Sequence, residues 1–215
     1  MFSYIAQATS HQNDLSQFRD RLHKAILHSL ATFRREFPTQ TIYGFAIAGG
    51  QSGNYLGYQL MTEERLNTIA DYYYEQGYRY KYASADRQEH HTKLREWMRW
   101  QNPEDDWYMA EFDESLEIRP TFQKLVDRLY AFGEYAEHLV QYLCDDVLAT
   151  LHQYSSWIDA PCYRSIILGV ASDEADFLTC CARCNPYHLA ITLRGQKRAG
   201  EELDNRIIRP EANES

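Results

Sequence analysis

The chain of 215 residues carries 22 Lys and Arg against 31 Asp and Glu, a formal charge of −9 with neutral histidines. With 44% hydrophobic and 25% charged residues it has a globular composition, which excludes a disordered chain, and its length suits one core. A net acidic protein is also poorly suited to sequence-independent DNA or RNA binding, because phosphate affinity needs basic side chains.

In chain order, the first predicted element is a helix over Asp14–Phe37. Leu15, Phe18, Leu22, Ile26, Leu30, Phe33 and Phe37 recur at three- and four-residue steps and form one apolar stripe. Asn13 is placed to cap its start, and Pro38, which has no N–H to give, stops it. The β-branched and aromatic run from Thr41 to Ala48 predicts a buried strand. Gly49–Asn54 then reads as a hairpin turn and Tyr55–Met61 as the returning strand. Thr62 caps a following helix in which Leu66, Ile69, Ala70 and Tyr73 share a face.

The next stretch alternates. Tyr78–Tyr82 has strand periodicity with basic residues on one side, and Arg95–Trp100 predicts a further short strand. Asn102-Pro103-Glu104-Asp105 has the composition of a helical start, with a capping residue, a first-turn proline and acids at the positive end of the dipole. Apolar positions from Phe122 to Leu151 keep helical phase within a stretch from Pro120 to Tyr154, which reads as two helices broken at Gly133 or at Asp145-Asp146, with one continuous helix as the alternative. Ser165–Ala171 predicts a buried strand, and Ser172 or Asp173 caps a helix to about Cys184, stopped by Asn185-Pro186. From Gly195 onward the chain is polar and is expected to fray, with 196–215 a flexible tail behind a single domain over 1–195. These elements fit an α+β domain whose small, mostly antiparallel sheet is packed by helices, with Ile42–Ala48 and Ile166–Val170 central.

No stretch approaches the ~18 apolar residues of a membrane helix, and Met1–Gln7 lacks the basic flank and apolar run of a signal peptide. Five cysteines (Cys144, Cys162, Cys180, Cys181 and Cys184) are an odd count, and three of them, Cys180, Cys181 and Cys184, crowd into one expected helix, unlike a secreted disulfide framework. The expectation is a soluble cytoplasmic protein.

Several motifs stand in a familiar order. The strand Ile42-Tyr43-Gly44-Phe45-Ala46-Ile47 precedes the helix start Thr62-Glu63-Glu64. Arg99-Trp100 then precedes Asn102–Trp107, and the late strand Ile166–Val170 precedes Ala182-Arg183-Cys184-Asn185-Pro186. Over roughly residues 15–187 this set resembles a bacterial domain-of-unknown-function family with a Phe-Ala strand, an Arg-Trp…Trp segment and a closing Asn-Pro. The family brings no established activity. The resemblance implies bacterial origin and some likeness to SUKH-type immunity proteins, small α+β proteins that neutralise toxins.

Charge is the most informative constellation. Residues 101–160 contain 13 acids and 3 bases, a local charge of −10, so one quarter of the chain carries the whole imbalance. Such a surface attracts and steers a basic partner, although the same acids suit a solvated helix face. Trp107 and Tyr108 lie between Glu104-Asp105-Asp106 and Glu111-Phe112-Asp113-Glu114, which is interface composition, while Trp107 equally suits a core plug. The partner-binding set is therefore Glu104, Asp105, Asp106, Trp107, Tyr108, Glu111, Asp113 and Glu114. Six of the 17 tyrosines fall within Tyr72–Tyr82 around Arg79 and Lys81, which suits either half-buried packing or a contact surface.

Other chemistry is poorly supported. Gly49–Asn54 lacks the Gly-Lys-Ser/Thr ending of a phosphate loop and the dinucleotide spacing. Cys181-x-x-Cys184 lacks a second pair for zinc and reads as helix packing. Glu89-His90-His91 lacks HExxH order and reads as an exposed turn. The 104–117 carboxylates lack calcium-loop spacing, and no nucleophile elbow is present. The sequence thus points to a non-enzymatic factor without cofactor or metal. It would bind a basic protein, with a toxin as one such partner, by occlusion; a membrane or nucleic-acid partner is not expected, and self-association stays open. The alternative is a metal-assisted hydrolase or nucleotide-handling enzyme using the 104–117 carboxylates.

Overall fold

A computed structural model describes residues 2–49, 56–100, 108–130, 148–149, 151, 165–171 and 184–210. The elements are α1 (Phe2–Glu36), β1 (Ile42–Gly49), β2 (Leu56–Thr62), α2 (Glu63–Glu75), β3 (Arg79–Tyr80), α3 (Arg87–Met98) and β4 (Tyr108–Glu111). A 3-10 turn (Glu114–Leu116), α4 (Ile118–Tyr130), β5 (Ile167–Ala171), α5 (Tyr187–Asp204) and β6 (Ile207–Ile208) complete them.

The main sheet has the order β4-β2-β1-β5. β1 pairs antiparallel with β2 and parallel with β5, and β2 pairs antiparallel with β4. The domain is α+β with a mixed, mostly antiparallel sheet. Alternation along β1, with a register shift between Ile42 and Gly44, divides the core. Ile42, Phe45 and Ile47 join Phe18, Leu22, Ile26 and Leu30 of α1 and Phe122 and Leu125 of α4 on one face. Tyr43 and Ala46 join Leu66 and Ile69 of α2, Leu94 and Trp97 of α3, and Leu203 and Ile207 near the chain's end on the other. Apolar period 3.6 in the helices and period 2 in the strand meet in two layers, so both faces of β1 leave water.

Several expectations need correction. Helix α1 begins at Phe2 rather than Asp14, so Asn13 lies inside it; Phe37 falls just past its end and is 38% exposed. β1 is central as expected, but β5 lies at the edge of the sheet. At Leu168 its outward backbone groups are met by one side chain: Leu168 donates its N–H to Asn185 Oδ1 at 2.8 Å, and Asn185 Nδ2 donates to the Leu168 carbonyl at 2.6 Å. A buried amide takes the place of a neighbouring strand and meets the requirement that buried backbone groups be paired.

Arg95–Trp100 is not a strand. Asp86 caps α3 by accepting from Gln88 N at 3.0 Å, and His90, Leu94, Trp97 and Met98 form its buried stripe. Glu89-His90-His91 therefore lies on a helix rather than an exposed turn, with buried His90 Nδ1 accepting from Tyr80 N at 3.1 Å. In the alternating run Tyr78–Tyr82 only Arg79–Tyr80 is a strand, and it pairs with β6 outside the main sheet. The stretch from Gly195 does not fray: α5 continues to Asp204, and Gly200, Leu203 and Ile207 are buried. Glycine suits position 200, since a Cβ would stand 3.3 Å from the Trp97 carbonyl oxygen, a tight contact where α5 crosses α3.

Helix α4 accounts for the first part of the expected 120–154 stretch; Leu148 and Leu151 are helical and buried in the same core as Phe122. The breakpoints Gly133 and Asp145-Asp146, the turn residues 50–54, the Asn102–Asp105 start and the expected cap at Ser172 or Asp173 lie outside the described residues. Cys184 is helical and buried, and the other four cysteines also lie outside them.

Candidate functional site

The acidic constellation is built on β4 and the turn that follows it. β4 docks in register on β2, Tyr108 opposite Leu60 and Glu111 opposite Gly57, and among the described residues is the other end strand of the sheet. Tyr108 points to the α1 side, where its ring meets Phe33 edge-on at 5.0 Å and Phe37 at 5.4 Å. Phe112 is buried against Tyr58 at 5.1 Å and fixes the chain where it leaves the strand. The carboxylates around these anchors face water: Glu111, Asp113, Glu114 and Glu117 are all exposed.

Most of those acids also have local work. Asp113 caps the 3-10 turn by accepting from Ser115 N at 2.8 Å, and lies 3.4 Å from His28 Nε2 of α1. Hydrogen bonds from Ser115, and then the His28 charge, hold its carboxyl below the usual range. Glu117 takes the left-handed conformation, φ 50°, and pairs with Arg21 at 3.0 Å; Arg21 also donates to its carbonyl at 2.9 Å. Glu111 lies 3.6 Å from Arg119. Arg21 of α1 therefore offsets part of the field that residue counting assigns to this segment, and Arg119 of α4, already within that count, lies against one of its acids.

Of the eight expected partner-binding residues, Tyr108, Glu111, Asp113 and Glu114 come together on this edge. Glu104, Asp105, Asp106 and Trp107 lie outside the described residues. Among the described residues no three His, Cys, Asp or Glu side chains form a group able to hold a metal ion. No described helix is long and apolar enough to cross a membrane.

A second polar cluster escaped sequence reading. Glu63, the first residue of α2, receives a two-pronged contact from Arg99 (Nη1 to Oε1 at 2.8 Å, Nη2 to Oε2 at 2.7 Å) and a further bond from Arg95. Burial alone would raise the Glu63 carboxyl, but the bonds and charge of Arg99, then Arg95, outweigh it and hold the group below its ordinary value. Tyr43 donates from its hydroxyl to the Arg99 carbonyl at 3.0 Å, while the Arg99 guanidinium stands 4.7 Å from its ring centre. Burial pushes the Tyr43 phenol up despite Arg99. Trp100 meets Tyr43 edge-on at 5.3 Å and donates from Nε1 to Gln196 at 3.0 Å. The cluster thus ties α2, α3 and α5 to the central strand. Arg95 and Arg99, four residues apart, were its visible signal, but the strand expected there gave them no helix to share.

Beside it, a cleft of about 260 Å³ opens between α3 and α5, lined by Trp97 and Trp100 together with Glu96 and Glu201. It is small for an enzyme pocket, and the Glu63 carboxylate is not part of its lining.

No curated protein and no solved structure matches the chain. The model of a family described as a domain of unknown function, DUF4303, matches residues 22–186, a span that takes in the strand Ile42–Ile47, the Arg99-Trp100 segment and the edge-closing Asn185; the chain belongs to the DUF4303 family.

Proposed function

We propose that the protein is a non-enzymatic binding factor that occludes a basic surface of another protein with the acidic edge built on β4. The observation that carries this reading is the concentration of three features at one edge strand. Exposed Glu111, Asp113 and Glu114 stand there beside the exposed ring of Phe37 and the backbone edge of β4. Edge strands recruit extended segments through main-chain hydrogen bonds, aromatics supply contact area, and surrounding acids select a basic partner and raise its encounter rate. Neighbouring Glu104, Asp105 and Asp106 add charge of the same sign. The family resemblance carries some likeness to the small α+β SUKH-type immunity proteins, and toxin neutralisation is the biological role such occlusion fits.

The test isolates a cognate partner from the host with the tagged protein and measures association kinetics at several salt concentrations. Converting Asp105, Asp106, Asp113 and Glu114 to their amides should slow association by roughly tenfold at low salt and flatten its salt dependence. The fold should persist, because asparagine still caps the 3-10 turn and exposed charges contribute little. Unchanged rates and salt dependence would remove the acidic edge from the binding mechanism.

A further inference from the structure

The β3–β6 ribbon carries the opposite charge. Arg79 pairs with Ile208 and Tyr80 with Ile207, and Lys81 donates its backbone N–H to the Arg206 carbonyl at 2.8 Å, which sets Lys81 opposite Arg206. Residues opposite one another in an antiparallel pair share a face. Tyr80 and buried Ile207 face the core, whereas Lys81, Arg206 and Ile208 are exposed and Arg79 is half-buried beside them. Two cations in cross-strand register repel, a cost with no return inside the fold.

Among the described residues none of Arg79, Lys81 and Arg206 forms an ion pair with a carboxylate, in a chain with 31 acids to choose from. Arg79 is held instead against the Tyr74 ring, 3.7 Å from its centre, and donates to the Tyr78 carbonyl at 2.8 Å. The surface around them is apolar and open: Tyr82 is 65% exposed and Ile208 52%. Unpaired cations beside exposed aromatic and aliphatic groups on a ribbon anchored in the core are the makings of a recognition surface.

We propose that the outer face of the β3–β6 ribbon binds an acidic segment of a partner protein, whose carboxylates lie between Lys81 and Arg206 and beside Arg79. A nucleic acid fits less well. The chain as a whole stands at −9 and repels a long polyanion, whereas a short acidic segment can lie within the reach of the ribbon alone. This surface lies apart from the acidic edge on β4, so either can fail without the other.

Binding is measured by fluorescence anisotropy with a short labelled peptide of Glu and Asp containing one Trp, and with a labelled thymidine oligonucleotide of equal charge. The peptide should bind at low salt and more tightly than the oligonucleotide. Lys81→Glu should weaken the peptide at least about tenfold while leaving the denaturation midpoint unchanged or higher, because it turns a repulsive cross-strand pair into an attractive one. Lys81→Arg should retain binding. As a control for net charge, Arg194→Glu on exposed α5 should have little effect. Three results would each overturn the proposal: no peptide binding, equal losses in Lys81→Glu and Arg194→Glu, or tighter binding of the oligonucleotide. A dimer in sedimentation that Lys81→Glu dissolves would overturn it too, by making a second copy the occupant.

Discussion

At the scale of single residues, Asn185 does the most with the least. Its buried amide donates to and accepts from the same residue, Leu168, and so closes the edge of β5. The Asn-Pro pair was legible as a helix stop, but nothing in its spacing says that the asparagine would turn back to a strand 17 residues earlier. Removing the amide strands one N–H and one C=O in the core at a cost of about 1–3 kcal/mol each. Asn185→Ala is therefore expected to lower stability by about 3 kcal/mol, read from urea unfolding. Asn185→Asp separates the two bonds. As a carboxylate it still accepts from Leu168 N–H but offers no donor to the Leu168 carbonyl, and it carries a buried charge. Burial beside a carbonyl oxygen raises its folded-state pKa above the unfolded value. The variant should therefore lose stability near neutral pH and regain part of it on acidification, once the carboxyl can donate again. An Asn185→Asp protein as stable as wild type at neutral pH would show that the bond to the Leu168 carbonyl contributes nothing.

At the scale of elements, periodicity served where one face of a segment is buried and failed where aromatic and charged residues are mixed. The stripe of α1, the run of β1 and the Thr62 cap of α2 were legible because each satisfies one local rule; Thr62 Oγ1 indeed accepts from Arg65 N at 3.2 Å. In Arg95–Trp100 two periods compete over six residues, and the outcome is decided farther back, by the Asp86 cap and buried His90. The polar stretch after Gly195 misled for a related reason. Only Leu203 and Ile207 turn inward there, spaced along a surface helix and a two-residue strand, yet both are buried in the cluster around Trp97. Trp97 Nε1 also donates to Asp204 at 3.1 Å, so the end of α5 is tied to α3 by packing and by a hydrogen bond. Losing buried Leu or Ile side chains costs about 2–5 kcal/mol each. A chain ending at residue 195 is thus expected to lose more than about 5 kcal/mol, a large part of the stability of an ordinary domain, and to show a lowered or absent unfolding transition by circular dichroism. A truncated chain with the wild-type midpoint would restore the flexible tail that composition suggests.

For the molecule as a whole, the layout follows from the burial of β1 between unlike neighbours. Helices α1 and α4 cover one face of the sheet, and α2, α3 and α5 cover the other. The two proposed recognition surfaces lie at the margins of this arrangement, the acids on β4 and the turn after it and the cations on the β3–β6 ribbon. Sequence alone located the acids, since charge can be counted. It could not show that Arg21 offsets part of them and that His28 stands beside Asp113, because α1 reaches the turn across about ninety residues of chain. Nor could it show the ribbon, whose second strand lay in the presumed tail. Local stability should follow the same geography, since opening a segment costs the burial and pairing it gives up. Freeing the amides of Phe45–Ile47 requires breaking hydrogen bonds to both β2 and β5 and exposing both cores. The ribbon joins its two strands through two residue pairs and has a solvated outer face. Native-state hydrogen exchange is therefore expected to be slowest in Phe45–Ile47, at the free energy of global unfolding, and several orders of magnitude faster in Arg79–Lys81. Denaturant added below the unfolding transition should accelerate the central strand steeply and the ribbon hardly at all, because only the former must expose the core in order to exchange. Equal exchange rates and equal denaturant sensitivity in the two segments would mean that the ribbon opens only with the whole domain, making it an integral part of the core instead of an appended surface.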